Sequence, residues 1–200
     1  MGRPVDIEKR RDLARRAVEV LSREGLDISN SRLAEALELK RPTLLYHFPS
    51  RAHLVEHALE ELLTEQMLFV MSRVNEHTHP IDRLFAQICA VHEFHKDRED
   101  RIVFLSQAIA TTSRPRMAEI IDVGNRVFAA QRAAATDLIR QGIEEGTVAP
   151  CDPDAVVATI RAAQDGLMVQ RVMTDVDLAP IHDFMWKHIL EPLKRERTET

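Results

Sequence analysis

The chain has 200 residues, 44 % of them apolar and 30 % charged, with a net charge of −5, 6 Gly and 9 Pro. That balance excludes disordered and collagen-like chains and leaves enough length to bury a core in one or two domains. Aromatic residues are scarce while Ala, Leu, Glu, Arg and Gln are plentiful, so an all-α fold is expected.

From the N-terminus, residues 7–24 repeat Leu13, Ala14, Ala17, Val18 and Leu21 at helical spacing, with Asp6 placed to cap the start and Gly25 to end it. Ser29 reads as the N-cap of a second, short helix with Leu33, Ala34 and Leu37 inward. Pro42 suits the first turn of a third, which carries Thr43 to Phe48 and stops before Pro49. A long helix is expected from Arg51 to about Asn75. Pro80, Pro115, Pro150, Pro153 and Pro180 then punctuate helical segments at about 80–98, 101–112, 115–144, 153–174 and 180–195. This gives about nine helices and no sheet. The longest stretch without a formal charge, Ile102–Ser113, is too short to cross a bilayer. No apolar leader opens the chain, and two cysteines make no disulfide framework, so a cytoplasmic setting without membrane attachment is expected.

Residues 1–52 hold eleven Lys or Arg and eight acids, a net +3, which leaves −8 for the remainder. Such an asymmetry suggests a basic reading head on an acidic body. The second and third helices, joined by Glu38-Leu39-Lys40, have the lengths of a helix-turn-helix, with Ala34 small enough for a close crossing and Leu33, Leu37, Leu39, Leu44 and Phe48 as a mini-core. Arg41, Pro42, Thr43, Tyr46 and His47 are then expected to face outward, short or flat enough for a major groove. Arg10, Arg11, Arg15 and Arg16 on the first helix read as a solvated face.

The run Ser31-Arg32-Leu33-Ala34-Glu35-Ala36-Leu37, followed by Arg41-Pro42-Thr43-Leu44-Leu45-Tyr46-His47-Phe48-Pro49-Ser50-Arg51, closely resembles the N-terminal domain of the TetR family of bacterial repressors. The block from Gly146-Thr147-Val148 to Asp165-Gly166-Leu167 resembles that family's penultimate-helix region. The resemblance implies an N-terminal helix-turn-helix DNA-binding domain over residues 1–50, and a helical effector-binding and dimerisation domain over 51–200. It implies that Arg41 and Pro42 contact base edges, that Thr43, Tyr46 and His47 contact phosphates or bases, and that Arg51 holds a phosphate. Ser29 and Asn30 open the second helix, where free N–H groups favour a phosphate. Three positions depart from the pattern: Glu38 stands where Gly is usual, Leu45 where Tyr is usual, and Ser31 where some members place a base-reading Arg, a role that falls to Arg32.

A single helix-turn-helix reads a short half-site, so a homodimer on a palindrome of double-stranded operator DNA is expected. Segment 153–174 carries the small residues Ala155, Ala158, Ala162, Ala163 and Gly166, and segment 180–195 carries Ile181, Phe184, Met185, Ile189 and Leu193 on one face; together they suit a four-helix bundle between two subunits. Met67, Met71, Phe85, Cys89, His92, Phe104, Phe128, Gln131 and Met168 suit the wall of a cavity for a broad apolar small molecule, and the resemblance implies an effector there. Enzyme motifs are absent, and no cofactor is expected. His92-Glu93-Phe94-His95 is one residue short of a zinc-protease box and lacks a third ligand, and Glu76-His77-Thr78-His79 stands alone, so no metal site is expected either. His53 and His57 read as solvent-facing, Cys89 as a buried hydrophobe and Cys151 as an exposed loop residue. The chain reads best as a ligand-responsive transcriptional repressor. The alternative is an all-helical small-molecule binding protein or enzyme whose helix-turn-helix is structural.

Overall fold

A computed structural model describes residues 6–110 and 114–195, with the side chains of 114–121 and 125 outside the description. Arg3, counted in the basic head, and the junction at 111–113 lie outside the described residues. The helices are α1 (Ile7–Glu24), α2 (Asn30–Ala36), α3 (Arg41–His47), α4 (Arg51–Val74), α5 (Pro80–Phe94), α6 (Glu99–Ala110), α7 (Arg114–Glu144), α8 (Pro153–Thr174) and α9 (Ala179–Met185). A π-helical turn, Trp186–Leu190, and a 3-10 turn, Glu191–Leu193, extend α9. The described residues hold one isolated antiparallel bridge, Val148 to Lys194, and no strand. No helix among them is long and apolar enough to cross a membrane.

The chain divides into two compact units, residues 1–65 with 100–127, and residues 66–99 with 128–200. In the first, the expected caps form. Asp6 accepts from the Lys9 N–H, Ser29 accepts from the Arg32 N–H, and Gly25 ends α1 at φ 82°. Leu13, Ala14, Ala17, Val18 and Leu21 of α1 are buried, as are Leu33, Leu37, Leu44 and Phe48, whereas Leu39 is only half-buried. The turn between α2 and α3 passes through Glu38 at φ 59°. The first-helix arginines are not simply a solvated face. Nε of Arg11 and Nε of Arg15 both donate to the buried carboxylate of Glu61 on α4, at 2.7 and 2.8 Å. Arg16 donates to the Leu37 carbonyl at the end of α2.

In the second unit, Ile81, Leu84 and Ile88 of α5 share a core with Ile139, Val148, Ile160, Met185 and Leu190. Gly142 is required where α7 turns back: a Cβ there would lie 2.5 Å from Val148 Cγ2. His79 caps α5 and ties it to the same turn. Its Nδ1 accepts from the Ile81 N–H, so Nε2 carries the proton donated to the Thr147 carbonyl at 3.0 Å. Cys151 is half-buried against the core rather than exposed in its loop.

Two segments differ from their expected courses. The 80–98 segment stops at Phe94, because Asp97 takes φ 61° and the chain turns into α6 at Glu99. The expected single apolar face of 180–195 splits. Ile181, Met185 and Leu193 pack inward with Leu190, while Phe184 and Ile189 are exposed. The π turn is the reason, since its wider repeat brings residues five apart, Met185 and Leu190, onto the inward side.

A left-handed conformation costs a residue with Cβ about 1–2 kcal/mol, part of which glycine returns as entropy in the unfolded chain. Glu38→Gly is therefore expected to stabilise the protein by up to about 1 kcal/mol, read as a higher urea midpoint. The Arg16–Glu38 pair at 3.4 Å lies on an exposed carboxylate and offsets little of that gain.

Candidate nucleic-acid interface and ligand cavities

The turn at Glu38 and the Arg16 tie fix where α2 ends, and α3 then starts with Pro42 in its first turn, where a missing N–H costs nothing. Arg41, Pro42, Thr43 and Tyr46 are exposed along this helix, so four of the five residues expected to face outward do so. His47 does not. It is 6 % exposed, edge-on to Tyr46 with ring centroids 5.2 Å apart, and its buried Nδ1 has no hydrogen-bond partner. A seven-residue helix has too few turns for periodicity to separate its faces. Ser29 and Arg32 are exposed and Asn30 is half-buried. The Arg32 guanidinium is shared between Glu24 and Glu35, both at 3.3 Å. Arg51 opens α4 half-buried, with Asp27 as its opposing charge and Nη1 buried without a partner.

Behind α3, His53 and His57 are half-buried rather than solvent-facing. Their rings meet edge to face at 4.5 Å, and both lie about 6 Å from Phe48. Nε2 of each faces the other at 3.2 Å, so one donates and the other accepts.

In the second unit, the expected cavity residues are divided. Phe85 and Cys89 line a groove of about 680 Å³, together with His182 and Trp186, which sequence reasoning did not single out. Met71 and Gln131 line a separate recess of about 60 Å³, room for ordered water but not for a ligand of ordinary size. Gln131 donates to Gln87, which donates to Gln164, at 3.4 and 3.5 Å. Met168 packs against Val70, Val74, Ala90 and Val91, while Met67 and Phe128 are half-buried. Phe104 is fully buried and belongs to the first unit.

The histidines of the short zinc-protease-like run have separate partners. His95 donates from Nε2 to Gln66, and His92 faces His182 and the Gln164 carbonyl. Burial pushes His92 down to about 4 and the Cys89 thiol up to about 11, so both are neutral near pH 7. Among the described residues no three His, Cys, Asp or Glu side chains are grouped to hold a metal.

Burial lowers His47, and the nearby charges of Arg10 and Lys9 lower it further against the opposing pull of Asp6. His53 is lowered by burial, His57 and Arg10, with Glu56 opposing. A histidine depressed in the folded state binds its proton more readily when unfolded, so its stability contribution is present above the ordinary value of 6.5 and lost as pH falls below it. The urea midpoint is expected to fall between about pH 7.5 and pH 5.5, and His47→Gln to fall less than wild type. Equal losses in both proteins would show that His47 does not carry the effect.

Residues 13–58 match the profile of bacterial regulatory proteins of the tetR family. No curated protein matches the chain in sequence. Among solved structures, a transcriptional regulator of Saccharomonospora viridis in complex with choline is 20 % identical, with 95 % of this chain and 100 % of that one covered at a TM-score of 0.72. The ketosteroid transcriptional regulator KstR2 of Mycobacterium tuberculosis is 23 % identical over 96 % of this chain and 98 % of its own, at a TM-score of 0.60. AibR, in complex with isovaleryl coenzyme A and operator DNA, is 16 % identical over 91 % and 98 %, at a TM-score of 0.64. These likenesses extend the shared all-helical fold over nearly the whole chain, and residues 13–58, which hold the helix-turn-helix, are similar to the N-terminal domain of the tetR family of bacterial regulatory proteins.

Proposed function

We propose that the chain is a ligand-responsive transcriptional repressor that binds a palindromic operator as a homodimer and is released by a small-molecule effector. The observation that carries this reading is the exposed row Arg41, Pro42, Thr43 and Tyr46 on a short helix set by a helix-turn-helix. Arg41 suits the O6 and N7 of a guanine, and Pro42 a thymine methyl. Ser29, Asn30, Arg32 and Arg51 flank that row and fix register on phosphates, while His47 acts from beneath by holding Tyr46. In functional terms residues 1–50 form the DNA-binding domain and 51–200 the effector-binding and dimerisation domain, acting in the cytoplasm.

Dimerisation is supported by an exposed apolar surface on the last helices. Val169, Val172 and Met173 of α8, Phe184 of α9 and Ile189 of the π turn are exposed, with Met173 reaching 72 % and Phe184 57 %. Ala155, Ala158, Ala162 and Gly166 are exposed on α8 and permit close helix approach. The effector site is supported by the groove beside Phe85 and Cys89, whose volume suits a small organic ligand. Two of the similar regulators were solved with such ligands, choline and isovaleryl coenzyme A. α4 runs without interruption from Arg51 to Val74, so displacement of its C-terminal end by an effector is transmitted to the segment that follows α3. A coupling of about 1–3 kcal/mol weakens operator binding about 5- to 150-fold.

Operator sequences selected from random DNA supply the probe for a mobility shift. Arg41→Ala is expected to weaken binding by about 1–3 kcal/mol and to relax one base position, and Thr43→Ala to weaken it in the same direction. Wild-type affinity in both variants would leave the helix-turn-helix as a structural element of a small-molecule binding protein or enzyme. Phe184→Asp combined with Ile189→Asp is expected to give a monomer in sedimentation and to abolish the shift at concentrations where wild type is saturated. A dimer that survives both changes would move the interface elsewhere.

A further inference from the structure

One face of α5 runs along the groove of about 680 Å³. Asp82, Phe85, Ala86, Cys89, Ala90 and Glu93 follow one another at helical spacings of three and four and all line it. Its two carboxylates therefore stand at opposite ends, about 16 Å apart along the helix axis, with an apolar stripe between them. The middle of the groove is uncharged near pH 7, because burial pushes the Cys89 thiol up to about 11 and lowers His182, which faces Cys89 from α9. Trp186 adds a second aromatic ring, 5.0 Å from that of Phe85.

The two ends differ in charge. At the Asp82 end, the Lys194 ammonium bonds both carboxylate oxygens, at 2.7 and 3.0 Å, and stands 5.3 Å from the centroid of the Trp186 ring. A carboxylate and an aromatic face there already hold an ammonium of the chain itself. At the Glu93 end, the Arg73 guanidinium is shared between two groove carboxylates, Glu93 at 3.1 Å and Glu76 at 3.8 Å. Those three groups together carry one negative charge in excess. Asp183, the remaining carboxylate of the lining, is matched by Lys187 at 2.8 Å.

We propose that the groove takes an organic monocation, its ammonium-type head beside Glu76 and Glu93 and its apolar body along Phe85 and Cys89 toward Trp186. This rests on reading the groove as the effector site and names the chemistry of the effector. Burial of the body against the stripe and the two rings supplies most of the affinity. The head supplies discrimination: a cation relieves the unmatched charge beside Arg73, a neutral head gains nothing there, and an anion of the same shape is repelled. Glu76 and Glu93 are exposed and screened by solvent, so the discrimination is modest and weakens with salt.

Trp186 is the only tryptophan of the chain, so its fluorescence reports occupation of the groove without DNA. The full-length protein is titrated at low ionic strength with octyltrimethylammonium, 1-octanol and octyl sulfate, which share one alkyl chain and differ in head charge. The cation is expected to bind about 5- to 10-fold more tightly than the alcohol, and the sulfate more weakly than either. Glu93→Gln, at an exposed position, is expected to remove most of the cation's advantage over the alcohol. Arg73→Gln is expected to enlarge that advantage, since two carboxylates are then unmatched. Opposite movements of one ratio are a readout that a merely structural role of these side chains would not give. Equal binding of cation and alcohol, tighter binding of the sulfate, or an advantage untouched by Glu93→Gln overturns the cationic assignment and leaves the groove as a small-molecule site. No response of Trp186 to any of the three overturns the proposal together with the placing of the effector in this groove.

Discussion

The carboxylate of Glu61 is the constraint on which the first unit depends. It is buried on α4, and a buried charge persists only when it is paired and hydrogen-bonded. Both partners come from α1, one turn apart, and both bond through Nε, the atom nearest the chain. Short reach leaves little slack, so α4 is held against one face of α1. The other links in the same helix follow: Arg16 reaches the carbonyl that ends α2, and Arg101 of α6 pairs with Glu19. The orientation of the exposed row on α3 is thus set by polar ties on α1 as well as by the buried leucines.

These ties change the meaning of the charge asymmetry. A count gives the first 52 residues a surplus of three positive charges, which reads as an electrostatic footprint for phosphates. Arg11, Arg15, Arg16 and Arg32 are all engaged with carboxylates or a carbonyl within the unit. Exposed pairs of this kind are weak and can exchange partners, so Arg32 remains able to turn toward a phosphate. Arg11 and Arg15 are different, because releasing them strands a buried carboxylate.

Much of the fold was legible because its signals are local. Asp6, Gly25, Ser29 and Pro42 act on backbone within four residues of themselves, and the leucine spacing of α1 needs no tertiary information. The conditional cost at Glu38 was also visible, since it follows from the residue type expected in a tight turn. What escaped was set over distance. His53 and His57 are shielded by Phe48, a residue on the preceding segment, and nothing in their i, i+4 spacing distinguishes a shielded pair from an exposed one. The groove wall joins Phe85 and Cys89 to His182 and Trp186, some ninety residues later, so composition could suggest its character but not its membership. Gathering nine cavity candidates by residue type alone mixed core, recess and groove.

The split of the last helical segment shows what a change of repeat accomplishes. Had α9 continued as a regular α-helix to residue 195, Met185 and Ile189, four residues apart, would have shared one face, with Phe184 about 140° around from Ile189. The π turn from Trp186 to Leu190 instead separates two apolar sets. Met185 and Leu190 turn inward to the core, and Phe184 and Ile189 turn outward. On the same short segment, His182 and Trp186 stand at the groove, where Trp186 packs 5.0 Å from Phe85. One segment therefore borders the core, the groove and the exposed apolar surface at once. π turns often mark functional positions. The groove wall and the exposed apolar residues therefore share one short element.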